Sequence, residues 1–224
     1  MGGESVCRKG TENGTRVAGP CDLSRFAWRQ YWQAPFVVRL LATLRPRICP
    51  LEVVAEAVPA GSRVLDIGCG AGLFLRWLAH ARGTSGVGVD VSADAVRAAR
   101  AAVAPEERLE FVCRGPAEPW PAGEFDVVTL VDVLHHVAPG EQRAFVGRIR
   151  QSGARRAVVK DVGRRPLWKA WANALHDFLM TRRRVYPRTM DEVAAWLRED
   201  GFRVTRTERI DRLCYAHYLI VAER

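Results

Sequence analysis

At 224 residues, 48% hydrophobic and 26% charged, the chain has the size of one globular domain with a substantial core, which excludes a low-complexity or fibrous class. No apolar run approaches the roughly 18 residues needed to cross a bilayer. The polar, Gly-rich residues 1–20 lack the apolar centre of a secretory signal, so a cytoplasmic protein with a disordered leader is expected.

The net charge of +9 asks for an anionic partner. The basic residues are nearly all Arg, however, and no RNA-binding motif accompanies them. They read as compositional bias and solvated surface, so nucleic acid is not the expected partner. The cysteines Cys7, Cys21, Cys49, Cys69, Cys113 and Cys214 are scattered, with no C-x-x-C pair and no His at ligand spacing. Reduced thiols are expected, with no metal site.

Apolar and aromatic residues begin at Phe26 and continue through Trp28, Tyr31, Trp32, Phe36 and Leu40 to Leu44, a spacing that suits helices interrupted at Pro35 and ended by Pro46 and Pro50. A short helix is expected at 51–58, then a turn at 58–61. From there strand-like runs at 63–67, 86–89, 109–113, 125–131 and 157–160 alternate with helical segments at 73–81, 93–103 and 141–151. Continuous apolar strands alternating with amphipathic helices mean a parallel sheet covered on both faces. A helix at 166–180 follows, then one starting at Thr189 with a Thr189/Glu192 capping box and a stop at Gly201. Runs at 202–209 and 213–222 close the chain as a hairpin. The expected fold is α/β, a seven-stranded, mostly parallel sheet with one antiparallel strand. Its expected parts are a leader (1–20), N-terminal helices (21–58) and the main domain (59–224) with a helical insertion at about 162–188.

The first strand ends in Asp66-Ile67-Gly68-Cys69-Gly70-Ala71-Gly72. The glycines let the backbone reach positive φ and approach a ligand, and the next helix directs free N–H groups there. A dinucleotide fingerprint needs its third glycine at residue 73, which is Leu73. The G-x-G-x-G observed is tighter and is preceded by Asp66, an acid that would repel a pyrophosphate and suits the ammonium of a methionine moiety. The second strand ends in Asp90, about 20 residues after the turn, where a carboxylate accepts from both ribose hydroxyls.

With Glu124-Phe125-Asp126 and Asp132-Val133-Leu134-His135-His136, these motifs resemble the class I S-adenosylmethionine-dependent methyltransferases over roughly residues 59–222, in order and spacing. The resemblance implies a Rossmann-like sheet and S-adenosyl-L-methionine as cofactor. It implies that Gly68, Cys69, Gly70 and Gly72 line the methionine portion and that Asp66 contacts its amino group. It implies Asp90 and Val91 at the ribose, Ala117 at the adenine, and Asp132 flanking the sulfonium centre. Many relatives carry an acid where this chain has Pro116; Glu118 is the available substitute. Asp126 is expected to hold strand-four geometry.

His135 and His136 fall at the expected active-site mouth, as candidate general bases or as scaffold. Lys160 and Asp161 end strand five, as substrate contacts or a surface ion pair. His176 and Asp177 form a second acid/base patch. Trp28, Tyr31, Trp32, Trp168 and Trp171 flank the core at both ends; the N-terminal helices and the insertion commonly form the acceptor lid in this fold, which favours an apolar acceptor. The run Arg182 to Arg184 reads as a solvated cluster, with a phosphate, a carrier protein's acidic face or a peripheral membrane contact as its alternatives. The leading expectation is methylation of a small-molecule acceptor, lipid-, quinone- or polyketide-like, at O, C or N. The alternatives are an RNA or protein methyltransferase, or a cofactor-binding scaffold without activity.

Overall fold

The computed structural model describes residues 11–12, 15–16, 20–30, 32, 39–40, 43–44, 46, 48–163, 185–212 and 215–224. The expected helix at 166–180, the His176/Asp177 patch, Tyr31, Trp168, Trp171 and the arginine run 182–184 lie outside these residues. Within the expected leader, Thr11–Glu12 pairs antiparallel with Thr15–Arg16.

Seven strands form the main sheet: β1 (Arg63–Ile67), β2 (Ser85–Asp90), β3 (Leu109–Cys113), β4 (Val127–Val131), β5 (Arg156–Val162), β6 (Arg203–Arg212) and β7 (Tyr215–Glu223). Their order is β3-β2-β1-β4-β5-β7-β6. The first five pair in parallel, and β7 runs antiparallel to both β5 and β6. The chain builds outward from β1 through β2 and β3, then returns to the other side for β4. The carboxyl edge between β1 and β4 is therefore the switch point where such sheets open a crevice.

Helices with bounds set among the described residues are α1 (Pro20–Gln30), α2 (Leu51–Glu56), α3 (Leu73–Arg82), α4 (Ala93–Ala102), α5 (Gln142–Gln151) and α6 (Met190–Glu199). Because side chains alternate across a strand, successive strand residues serve two separate cores. Val64, Val127, Val158 and Val221 pack with Leu23, Val54, Leu75, Leu78 and Val96 of α1 to α4. Leu65, Val128, Val159 and Ile220 pack with Val146, Ile149, Val193 and Leu197 of α5 and α6. Burying a Val or Leu side chain is worth about 1.5–3 kcal/mol, and this two-sided burial explains why the central strands read as continuous apolar runs.

Local signals place the helix ends. Glycines in the left-handed conformation bracket α3 at Gly72 (φ 81°) and Gly83 (φ 64°). Ser92 caps α4 by accepting from Ala95 N, and Thr189 and Glu192 make the expected reciprocal capping box on α6. Buried Arg76 ties α3 to its surroundings, donating to Glu107 (2.9 Å) and to Gln30 at the end of α1 (2.8 Å). The Phe26 and Trp77 rings meet edge-on at 5.3 Å. The fourth strand starts at Val127, two residues later than expected. Asp126 instead accepts the Arg63 amide through its side chain (2.8 Å), joining the starts of β1 and β4 as a structural residue.

Candidate functional site

The glycine turn after β1 crosses the carboxyl edge at the switch point. Gly68, Gly70 and Gly72 all have positive φ (76°, 55° and 81°), but they serve different ends. A Cβ on Gly68 would run into Val133, and one on Gly72 would lie 2.7 Å from Phe111 Cζ. A Cβ on Gly70 would meet nothing within 4 Å. Gly68 and Gly72 are therefore required by packing, whereas Gly70 borders open space.

Two carboxylates flank this space. Asp66 is buried at 2% exposure, and its Oδ1 accepts from Thr129 Oγ1 (2.7 Å) across the β1–β4 pair. Asp90 takes the Gly70 amide on Oδ2 (2.8 Å) and the Ser92 amide on Oδ1 (2.8 Å). These bonds fix the carboxylate against the turn, and each oxygen keeps a lone pair for a diol. Val91 beside it is 53% exposed, an apolar surface suited to a nucleoside. Burial, aided by Asp66 and Asp90, pushes the Cys69 thiol pKa up, so the thiol stays protonated. Anion below, diol acceptor at one end and an open glycine between fit S-adenosylmethionine in both shape and charge.

In the loop where the adenine is expected, Glu118 accepts the Gly115 amide through Oε2 (2.7 Å), closing its own turn. Arg148 holds the same loop through the carbonyls of Pro116 (2.9 Å) and Glu118. Ala117 lies exposed at the tip.

The segment after β4 carries the remaining polar groups. Asp132 has φ 56°, the one non-glycine with positive φ among the described residues; a residue held this way marks a functional site more often than chance. Its side chain is 18% exposed, while Lys160, at 0%, places Nζ 2.6 Å from Oδ1. Cys49 Sγ donates to Asp132 Oδ2 (3.1 Å) and accepts from Lys160 Nζ (3.3 Å). Burial alone would raise the Asp132 pKa, but Lys160 foremost, then His217 and His135, hold it well below the usual carboxylate range. Burial would likewise lower Lys160, yet Asp132 and Cys49 keep its pKa above the ordinary value. His217 meets the Ile48 carbonyl through Nε2 (2.9 Å); burial and the Lys160 charge depress its pKa to about 4.

On the other face of the sheet, His135 is buried at 3% and its Nδ1 pairs with Asp161, itself at 2% exposure. Asp161 also accepts from the His135 amide (3.2 Å) and the Val162 amide (2.6 Å). The His135 and His136 rings lie 4.0 Å apart between centroids, tilted at 49°, and His136 is exposed. Lys160 and Asp161 are thus neither a surface pair nor partners of each other. As neighbours on β5 they point to opposite faces, one to Asp132 and the other to His135. Cys49 and His217 were not singled out in the sequence, because a lone Cys or His carries no spacing signal. Only the chain's return across 83 residues brings Cys49 to Asp132.

A separate cavity of about 460 Å³ lies at the opposite, amino edge, lined by residues including Pro59, Ser62, Asp126, Arg156 and Glu223. It holds none of the groups above.

Residues 29–207 match the family described as a methyltransferase domain. The ubiquinone biosynthesis O-methyltransferase of Xanthomonas axonopodis pv. citri is 30% identical over 202 residues, 82% of this chain and 80% of that protein. Methyltransferase GfsG of Streptomyces halstedii is 29% identical over 139 residues, 60% of this chain and 50% of its own length. Among solved structures, magnesium protoporphyrin IX methyltransferase from Synechocystis PCC 6803, crystallised with S-adenosylhomocysteine, superposes with a TM-score of 0.66 at 24% identity, covering 91% of this chain and 95% of that one. That level of identity speaks to the fold.

Proposed function

Because the chain belongs to the methyltransferase-domain family, as a class I S-adenosylmethionine-dependent enzyme, we propose that it methylates a hydroxyl oxygen on an apolar small molecule, with His135 as general base. The observation that carries this reading is the buried His135–Asp161 pair at the carboxyl edge, three residues after Asp132. Asp161 on Nδ1 orients the imidazole and stabilises the imidazolium that forms when the ring takes a proton. An acceptor hydroxyl needs that help, because a neutral alcohol or phenol is a weak nucleophile.

The bound cofactor supplies an electrophilic methyl group on a sulfonium sulfur. The chain's part is to hold it and to align the acceptor in line with it. Asp66 and the Gly68–Gly72 turn would receive the methionine half, Asp90 and Val91 the ribose, and Ala117 the adenine. His136, exposed beside His135, would border the acceptor entrance. The oxygen acceptor agrees with the O-methyltransferase among the relatives, and the apolar acceptor with the aromatic N-terminal segment. Intramolecular pairing of Arg76, Arg143, Arg156 and Arg188 weakens the case for a nucleic-acid acceptor.

A cytoplasmic setting goes with this reading: among the described residues no helix is long and apolar enough to cross a membrane, and Cys69 and Cys113 are thiols. A carrier-protein or membrane contact would fall to Arg182 to Arg184. The test is S-adenosylhomocysteine formation against a panel of hydroxylated apolar metabolites. Turnover that requires a free hydroxyl and collapses in His135→Gln supports the proposal; equal turnover of O-blocked or carbon acceptors refutes it.

A further inference from the structure

We propose that Lys160 is a charge-compensating residue, cancelling the Asp132 carboxylate beside the sulfonium end of the cofactor and so setting the balance between the cationic donor and its neutral product. The inference rests on the reading that the Gly68–Gly72 turn holds the methionine half. Asp132 leaves β4 at φ 56°, and the next residue, Val133, packs directly on Gly68. Asp132 is thereby the immediate chain neighbour of the residue seated on the turn, and 18% of its side chain is open.

A bare carboxylate at that position would attract a sulfonium. It would bind the charged methyl donor more tightly than the neutral thioether, and it would resist the loss of positive charge as the methyl departs. Binding that is stronger in the ground state than in the transition state slows the chemistry. Asp132 nevertheless has work to do in place, since its oxygens receive Cys49 Sγ (3.1 Å) and Lys160 Nζ (2.6 Å) and so join the segment before α2 to the sheet. Lys160 reconciles the two demands. It is wholly buried, so its charge is not screened by water, and it makes the pair neutral overall while leaving the carboxylate ionised. The lysine is a positioning residue: it acts on the reacting centre through Asp132.

The test is calorimetric affinity for S-adenosylmethionine and S-adenosylhomocysteine, in the wild type and in Lys160→Met, Asp132→Asn and the double variant. Unit charges several ångströms apart at an effective dielectric near 20 change an equilibrium by about tenfold or more. Lys160→Met should shift the affinity ratio toward the sulfonium by about that factor, with a lower kcat. Asp132→Asn, which leaves the ammonium uncompensated, should shift it the opposite way. The double variant should return close to the wild-type ratio. Lys160→Arg keeps the charge and should keep the ratio, which preserves the test if Lys160→Met fails to fold. A purely structural role weakens both nucleosides in parallel; parallel losses, or two single variants moving the ratio in one direction, overturn the proposal. A wild type that binds neither nucleoside refutes the underlying cofactor assignment instead.

Discussion

Replacing Gly70 with alanine separates ligand binding from folding. The residue has φ 55°, and its new Cβ would meet nothing within 4 Å. The folded state therefore pays only the left-handed penalty of about 1–2 kcal/mol. For a chain of this size that lowers Tm by a few degrees, about 2–4 °C per kcal/mol. Gly72→Ala has the same backbone penalty (φ 81°), and its Cβ also lands 2.7 Å from Phe111 Cζ and 3.1 Å from Ala99. Overpacking adds about 1–3 kcal/mol there. Thermal unfolding should rank Gly72→Ala as clearly the less stable protein. Calorimetry on Gly70→Ala should show S-adenosylmethionine affinity reduced at least about tenfold, the equivalent of 1.4 kcal/mol, because the methyl occupies the ligand's space. Wild-type affinity in Gly70→Ala would refute the assignment of that space to the cofactor.

Asp90→Asn keeps an acceptor for only one of the Gly70 and Ser92 amides, turns an NH2 toward the other and loses the charge; cofactor affinity should fall by about 1.5–3 kcal/mol, read by calorimetry. His135→Gln and Asp161→Asn should each lower kcat by about 10²–10⁴ with cofactor affinity unchanged; unchanged kcat in both would remove the general base. His217 titrates at about 4 in the folded protein, below its ordinary 6.5, so folding favours its neutral form. That contribution is complete above pH 6.5 and is lost as the pH falls through about 4. It amounts to at most about 3 kcal/mol. Denaturation of His217→Gln should show a smaller loss of stability on acidification than the wild type; parallel curves would contradict the cause assigned.

The elements that bear cofactor-binding motifs were legible in the sequence because their signals are local. β1 and β3 occupy the expected residues, and Thr189/Glu192 caps α6 as its spacing implied. The hairpin was readable from two strand-like runs without an intervening helix, and β7 is indeed the strand that runs antiparallel. What stayed hidden depends on the third dimension. Alternation along β5 sends Lys160 and Asp161 into different polar networks, a consequence of sheet geometry that adjacent charges in a sequence do not reveal. The bond by which Glu118 accepts the Gly115 amide and closes its own loop carries no sequence signal of its own. Cys49 and His217 reach the site only through chain returns of 83 and 169 residues.

The most direct test is a crystal structure of the protein soaked with S-adenosylhomocysteine. The nucleoside should lie across the Gly68–Gly72 turn with its ribose hydroxyls on Asp90 and its sulfur toward Asp132. Density at the amino-edge cavity, or ribose hydroxyls that leave Asp90 untouched, would contradict the assignment.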